Sequence, residues 1–189
     1  MIYVPPNHGQ NQYELDRFIS LLSNQGVKSY VEIGTKKGGM FHRVAMSMPV
    51  GSLVVAIDLP NGPWGMPSER DLIGVIADLK LKGYDAHLIL GDSTSQEVYN
   101  QLNFISPMFD AIFLDGDHRY EGIKKDFELY SPMGRLIAMH DIVGDGCCDK
   151  VRNLAVEVPR FWKELSLKRQ TGELIAVGSR MGIGFVFNH

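Results

Sequence analysis

Val31-Glu32-Ile33-Gly34-Thr35-Lys36-Lys37-Gly38-Gly39 decides the fold: an apolar run ends on an acid and a glycine turn, and a helical stretch follows. The same pattern recurs outward along the chain. Leu53-Val54-Val55-Ala56-Ile57 runs into Asp58, and His87-Leu88-Ile89-Leu90-Gly91 into Asp92. Ala111-Ile112-Phe113-Leu114 runs into Asp115, and Leu136-Ile137-Ala138-Met139 into His140-Asp141. Runs of this length and β-branched content read as strands buried on both faces, as in a parallel sheet. In open parallel α/β sheets, ligands bind outside the carboxyl ends of the strands. Each run sets a polar or charged group there, which points to a nucleotide-like ligand.

Helical spacing between these runs completes the alternation. The expected helices cover Glu14 to Ser23, Gly39 to Met48, Ser68 to Lys82, Ser93 or Thr94 to Asn103, and Tyr120 to Tyr130. A further helix from Lys150 to Leu165, interrupted by Pro159, is expected after the loop Gly144 to Cys148. Glu173 to Val177 and Gly182 to Phe187 read as a closing hairpin. Alternating strands and helices imply right-handed crossovers. A short turn cannot make a parallel crossover, so the last strand is antiparallel. The expected fold is α/β, Rossmann-like and doubly wound. Its sheet is seven-stranded and mostly parallel with an antiparallel last strand, in one domain over residues 1–189.

Composition narrows the function. A net charge of -3 gives no reason to expect nucleic acid as the main partner. Hydrophobic content of 44% and charged content of 22% are ordinary for a globular chain. The adjacent Cys147 and Cys148 have no metal-type spacing and read as incidental. No apolar run approaches the ~20 residues of a spanning helix, and the N-terminus does not read as a signal peptide. A reduced, cytoplasmic setting with no membrane partner is the expectation.

The first turn lacks a Gly-x-Gly-x-x-Gly fingerprint, because Lys36 stands at the second glycine. Glu32 would repel phosphates and attract an amine-bearing ligand, which favours an amino-acid-bearing nucleoside over NAD. Asp58 falls where an acid accepts hydrogen bonds from ribose hydroxyls. Asp92 and Ser93 could meet an adenine, cap the next helix, or both. Lys36 and Lys37 read as solvated. Trp64, in a Pro/Gly-rich loop, could stack on adenine, wall an acceptor pocket or pack on the surface.

Phe109-Asp110-Ala111-Ile112-Phe113-Leu114-Asp115-Gly116-Asp117-His118-Arg119-Tyr120-Glu121-Gly122, then Asp126, then Pro132 to Asp141, carries a resemblance. The chain is similar here to class I S-adenosylmethionine (SAM)-dependent methyltransferases. Within them it resembles the small family of macrocin-type O-methyltransferases and cephalosporin-hydroxylase-like proteins. Met40, in place of a common Ser, and Met133-Gly134-Arg135 depart from that pattern. The resemblance implies O-methylation of a small molecule or sugar, with a homodimer as one form of assembly. It implies a cofactor set of Glu32, Gly34, Thr35, Gly38, Gly39, Asp58, Leu59, Gly91, Asp92, Ser93 and Asp115.

A hydroxyl acceptor must lose its proton, and two routes are open. In one, Asp115 and Asp141, with His140 or a water, hold Mg²⁺. In the other, His118 is the general base, its ring oriented by a neighbouring carboxylate. The catalytic candidates are therefore Asp115, His118 and Asp141, and the metal candidates Asp115, His140 and Asp141. His140 could instead be a ring bonded to backbone, and Asp117 reads as a cap for the helix at Tyr120. A SAM-binding module with weak or no transfer is the second reading.

Overall fold

The computed structural model describes residues 9–65, 67–144, 148–149 and 154–188. The strands are β1 (Ser29–Ile33), β2 (Leu53–Asp58), β3 (Asp85–Leu90), β4 (Phe109–Leu114), β5 (Gly134–His140), β6 (Cys148–Asp149), β7 (Leu154–Ala155), β8 (Thr171–Leu174) and β9 (Ile183–Phe187). The helices are α1 (Gln12–Asn24), α2 (Gly39–Ser47), α3 (Glu69–Leu81), α4 (Gln96–Ile105), α5 (Tyr120–Tyr130) and α6 (Val158–Ser166). Seven strands form one sheet in the order β3-β2-β1-β4-β5-β9-β8, and β6 and β7 make a separate two-residue ladder. Pairing is parallel from β3 through β5. β9 is antiparallel to both β5 and β8, so it alone runs against the rest, as the short turn requires.

The two faces of the sheet bury separate cores. Tyr30, Val54, Ala56 and Phe113 pack with Leu15, Phe18, Phe41 and Val75. Val31, Ile33, Ile112 and Met139 pack with Leu102, Phe127, Phe161 and Trp162 on the other face. Strand side chains alternate between faces, so strands apolar at both parities need helices on both sides. The chain winds outward from β1 to β3, then returns to β4 beside β1. That reversal is the switch point at which doubly wound sheets open a crevice.

Glu14 fixes the far edge. Its buried carboxylate accepts hydrogen bonds from the Ala176 and Gly182 backbone N–H groups at 2.9 and 3.2 Å, tying α1 to the β8–β9 connection.

Several local expectations are corrected. Residues 154–155 are strand, not helix, and α6 starts at Val158 with Pro159 in its first turn. A proline there forgoes an N–H that has no helical partner anyway, so it opens the helix rather than interrupting it. The rest of the expected helix, residues 150–153, lies outside the described residues, as does Cys147. β8 is Thr171–Leu174, earlier than the expected Glu173 to Val177, and Val177 is fully exposed in the turn. Ser95, not Ser93 or Thr94, caps α4 by accepting from the Val98 N–H.

Candidate active site

Three chain turns converge at the β1/β4 switch point. After β1, Gly34 adopts φ +86° and passes so close to β4 that an added Cβ would stand 2.1 Å from the Asp115 carbonyl oxygen. Only glycine fits there. Thr35 points inward, its hydroxyl shared between the carbonyl oxygens of Glu32 and Ile57 at 3.1 Å each. Gly38 caps α2 in the left-handed region, and Gly39 begins that helix.

Glu32 shares a strand face with Tyr30, and both are buried beneath α2. The Tyr30 hydroxyl donates to Glu32 Oε2 at 2.7 Å. Burial pushes the Glu32 carboxyl up to about 8, against the hydrogen bond from Tyr30. Glu32 and Thr35 therefore support the turn from below. They do not line the cleft above it, and neither do Gly38 and Gly39.

That cleft, of about 250 Å³, is lined by Gly34, Lys36, Asp58, Leu59, Gly91, Asp92, Ser93 and Asp115 among others. Lys36 is thus part of its wall rather than a remote solvated residue; Lys37 is the exposed one, 3.7 Å from Asp71. A larger open groove of about 940 Å³, around Arg135, Thr171 and Phe187, lies at the opposite end of the sheet, away from the carboxyl ends of the parallel strands.

Asp58 is already held. Its carboxylate accepts from the Ser68 hydroxyl at 3.0 Å, and the Leu59 and Lys36 backbone N–H groups also bond to it. Burial raises this carboxyl despite those donors. Ser68 is the N-cap residue of α3 but makes no side-chain cap bond, because its hydroxyl is committed to Asp58.

At the end of β3, Asp92 accepts from both the N–H and the hydroxyl of Thr94 at 2.8 Å. The Ser93 hydroxyl donates to the fully buried Asp126 at 2.7 Å. Burial pushes the Asp126 carboxyl up to about 7.

The ends of β4 and β5 differ in kind. Asp115, His118 and His140 are each more than nine-tenths buried, and Asp141 is nearly so. His118 Nδ1 lies 2.7 Å from Asp141 Oδ2. His140 Nδ1 lies 3.3 Å from Asp115 Oδ1 and 3.2 Å from Asp141 Oδ1. Neighbouring strand residues normally face opposite ways. Asp141 has φ +60°, a left-handed geometry that turns its carboxylate back beside the preceding His140 ring. A non-glycine residue held there is strained, and such strain clusters at functional sites.

Opposite charges are paired here. Burial works against the His140 cation, but Asp115 and Asp141 overcome it and raise the imidazole to about 10. Burial likewise favours neutral Asp115 and Asp141. The His140 charge and, for Asp141, the hydrogen bond from His118 hold both carboxyls below their ordinary value. An ionised Asp141 only accepts, so the proton between it and His118 sits on Nδ1. His118 Nε2 lies 3.8 Å from Asp115 Oδ1.

One donor atom each from Asp115, His140 and Asp141 falls within a 4.8 Å span. Asp115 Oδ1 and His140 Nε2 are buried without a hydrogen-bond partner. Adjacent donors on a six-coordinate ion with bonds of about 2.2 Å stand about 3.1 Å apart. The 3.2 and 3.3 Å separations suit that arrangement, so these residues fit a divalent cation. His140 Nδ1 is ion-paired with the two carboxylates and its Nε2 has no hydrogen-bond partner, so the ring is not held by backbone.

Sequence reasoning did not bring together Trp64, Asp117 and Arg119. Trp64 is buried, its ring 4.5 Å from that of His118, and its Nε1 donates to Asp117 Oδ1 at 2.9 Å. Arg119 Nε donates to both oxygens of the same carboxylate at 2.9 and 3.0 Å. Asp117 therefore does not cap α5; Glu157 accepts from the Tyr120 N–H instead. The one available signal was Trp64 itself, a large ring in a Gly/Pro loop next to a strand-end acid.

A seven-stranded Rossmann-like sheet with one reversed strand, and an acid-lined cleft at its switch point, defines the class I methyltransferase fold. The family model described as a methyltransferase domain matches residues 31–142, and the chain belongs to that family. Two solved structures share the fold. An O-methyltransferase from Bacillus cereus in complex with SAH is 18% identical with a TM-score of 0.68, covering 97% of this chain and 84% of that one. The O-methyltransferase TomG from Streptomyces achromogenes, involved in tomaymycin synthesis and in complex with SAM, is 14% identical with a TM-score of 0.69, covering 97% and 83%. An uncharacterised protein, R132, of Acanthamoeba polyphaga mimivirus is 29% identical over 102 residues, 54% of this chain and 44% of that protein. The match thus spans less than half the length of that relative. No helix among the described residues is long and apolar enough to cross a membrane.

Proposed function

We propose that this protein transfers a methyl group from SAM to a hydroxyl oxygen of a small-molecule acceptor. The observation that carries the reading is the junction of two sites. The cleft over β1 to β3 meets, at Asp115, a buried pair in which His118 Nδ1 is held by Asp141 at 2.7 Å. Asp58 is suited to the ribose hydroxyls, with Leu59, Gly91, Asp92 and Ser93 along the adenine side and Gly34 under the methionine end. SAM, when bound, supplies a methyl group activated by its positive sulfur. A cation held by Asp115, His140 and Asp141 would lower the pKa of the acceptor hydroxyl.

The chain's own task is alignment and proton removal. His118 Nε2 takes the acceptor proton while Asp141 steadies the imidazolium that results. The oxygen lone pair forms the new bond to the methyl carbon. The carbon–sulfur bond breaks, and its electron pair stays on sulfur as a neutral thioether. Trp64 and the Asp117–Arg119 pair wall the approach to His118.

The test is transfer of labelled methyl from SAM to a panel of polyhydroxylated small molecules. Transfer is expected, to be abolished by EDTA and restored by divalent cation. SAM binding without transfer to any acceptor would favour a binding module instead.

A further inference from the structure

The buried corner at the ends of β4 and β5 contains a nitrogen donor where an all-oxygen cation site has none. We infer that Asp115, His140 and Asp141 form a mixed nitrogen–oxygen site that selects a divalent transition ion, Mn²⁺ or a later one, over Mg²⁺. This rests on the reading of that corner as a cation site, but not on methyl transfer.

The donors are pre-arranged. His140 Nδ1 faces one oxygen of each carboxylate at 3.3 and 3.2 Å, and a cation entering the gap takes the place of the proton on that nitrogen. Asp115 Oδ1 is aimed into this gap, is buried, and has no hydrogen-bond partner. The second oxygen of Asp141 is engaged by His118 Nδ1 at 2.7 Å, which leaves Oδ1 for the gap. Such an outer partner fixes a ligating carboxylate in one orientation. The left-handed φ of +60° at Asp141 brings two residues consecutive in sequence to the same gap.

Mg²⁺ is small and hard, keeps its waters and takes oxygen ligands. Imidazole adds little to its binding but adds strongly to that of first-row transition ions, whose affinities rise from Mn²⁺ onward. Two buried donors and a third that is mostly covered also leave little room for the several waters that Mg²⁺ retains. The set at this corner therefore penalises Mg²⁺ in both donor type and hydration.

The experiment is calorimetric titration of the chelator-stripped full chain with MnCl₂ and, separately, MgCl₂, without SAM. Mn²⁺ should bind at least about tenfold more tightly than Mg²⁺. His140→Gln, which offers an oxygen instead, should narrow that gap. Pulsed EPR of Mn²⁺ on the unaltered protein should show coupling to a ¹⁴N nucleus, independently of whether the variant folds. Equal affinities, no binding of either ion, or bound Mn²⁺ without nitrogen coupling would each overturn the inference. Titration of SAH into the same samples separates the two readings. Loss of SAH binding with the Mn²⁺ preference intact would count against methyl transfer alone.

Discussion

The two halves of the site handle their charges in opposite ways. Over β1 to β3, carboxylates already have donors: Asp58 takes Ser68 and backbone N–H groups, and Asp92 takes Thr94 twice. At β4 and β5, Asp115 Oδ1 is ion-paired with His140 but has no hydrogen-bond partner, and His140 Nε2 is buried without one. In the first half the acids are already satisfied by the chain's own donors, bonds that a ligand with hydroxyl or amine groups could exchange. The second holds bonding capacity left over by its own residues, which a reacting group or cation can satisfy. In the proposed function, binding and chemistry fall to different strands of one sheet.

The contrast makes the two halves separable by mutation. His118→Ala should lower kcat by about 10²–10⁴-fold while the SAM dissociation constant stays within about twofold. An equal loss of cofactor affinity would merge the halves. In the opposite sense, Asp58→Ala should weaken SAM binding by roughly 1.5–3 kcal/mol, read by calorimetry. Ser68→Ala should have a smaller effect in the same direction, about 0.5–1.5 kcal/mol, because it removes one of several donors to Asp58. If Ser68→Ala matched Asp58→Ala, that carboxylate would depend on Ser68 rather than on the backbone.

A separate effect, on stability rather than on binding or rate, concerns the support under the cradle. Glu32 is raised to about 8 in the folded chain from an ordinary 4.5, so folding favours its protonated form. Its contribution to stability is fully present below the ordinary value and declines as pH rises through about 8. Thermal unfolding from pH 5 to 8 should show this decline. Glu32→Gln, which keeps a neutral partner for Tyr30, should remove most of it, with about 2–4 °C of Tm for each kcal/mol. An identical pH profile in the variant would mean that Glu32 is ionised and balanced by a charge elsewhere.

The sheet was legible in the sequence because each strand is an apolar run buried on both faces and closed by a polar residue. The reversed last strand was legible because its turn is short. The corner acids and His140 were legible as strand ends. What escaped depended on partners distant in sequence. Ser68 looks like a helix cap until Asp58 claims its hydroxyl, and Asp117 looks like one until Trp64, 53 residues earlier, reaches it. The Glu32–Tyr30 pair under α2 was not foreseen, because the reading of Glu32 rested on the turn that follows it and not on the strand face it shares with Tyr30. Pro159 reads as a break unless the helix is known to start one residue before it.

The most direct test of the central claim is calorimetric titration of SAM into the purified chain in EDTA, with NAD as the control. Saturable one-to-one binding of SAM in the micromolar range without added metal is expected, weakened in Asp58→Ala, with no binding of NAD. Failure of SAM to bind, or equal binding of NAD, would contradict the claim.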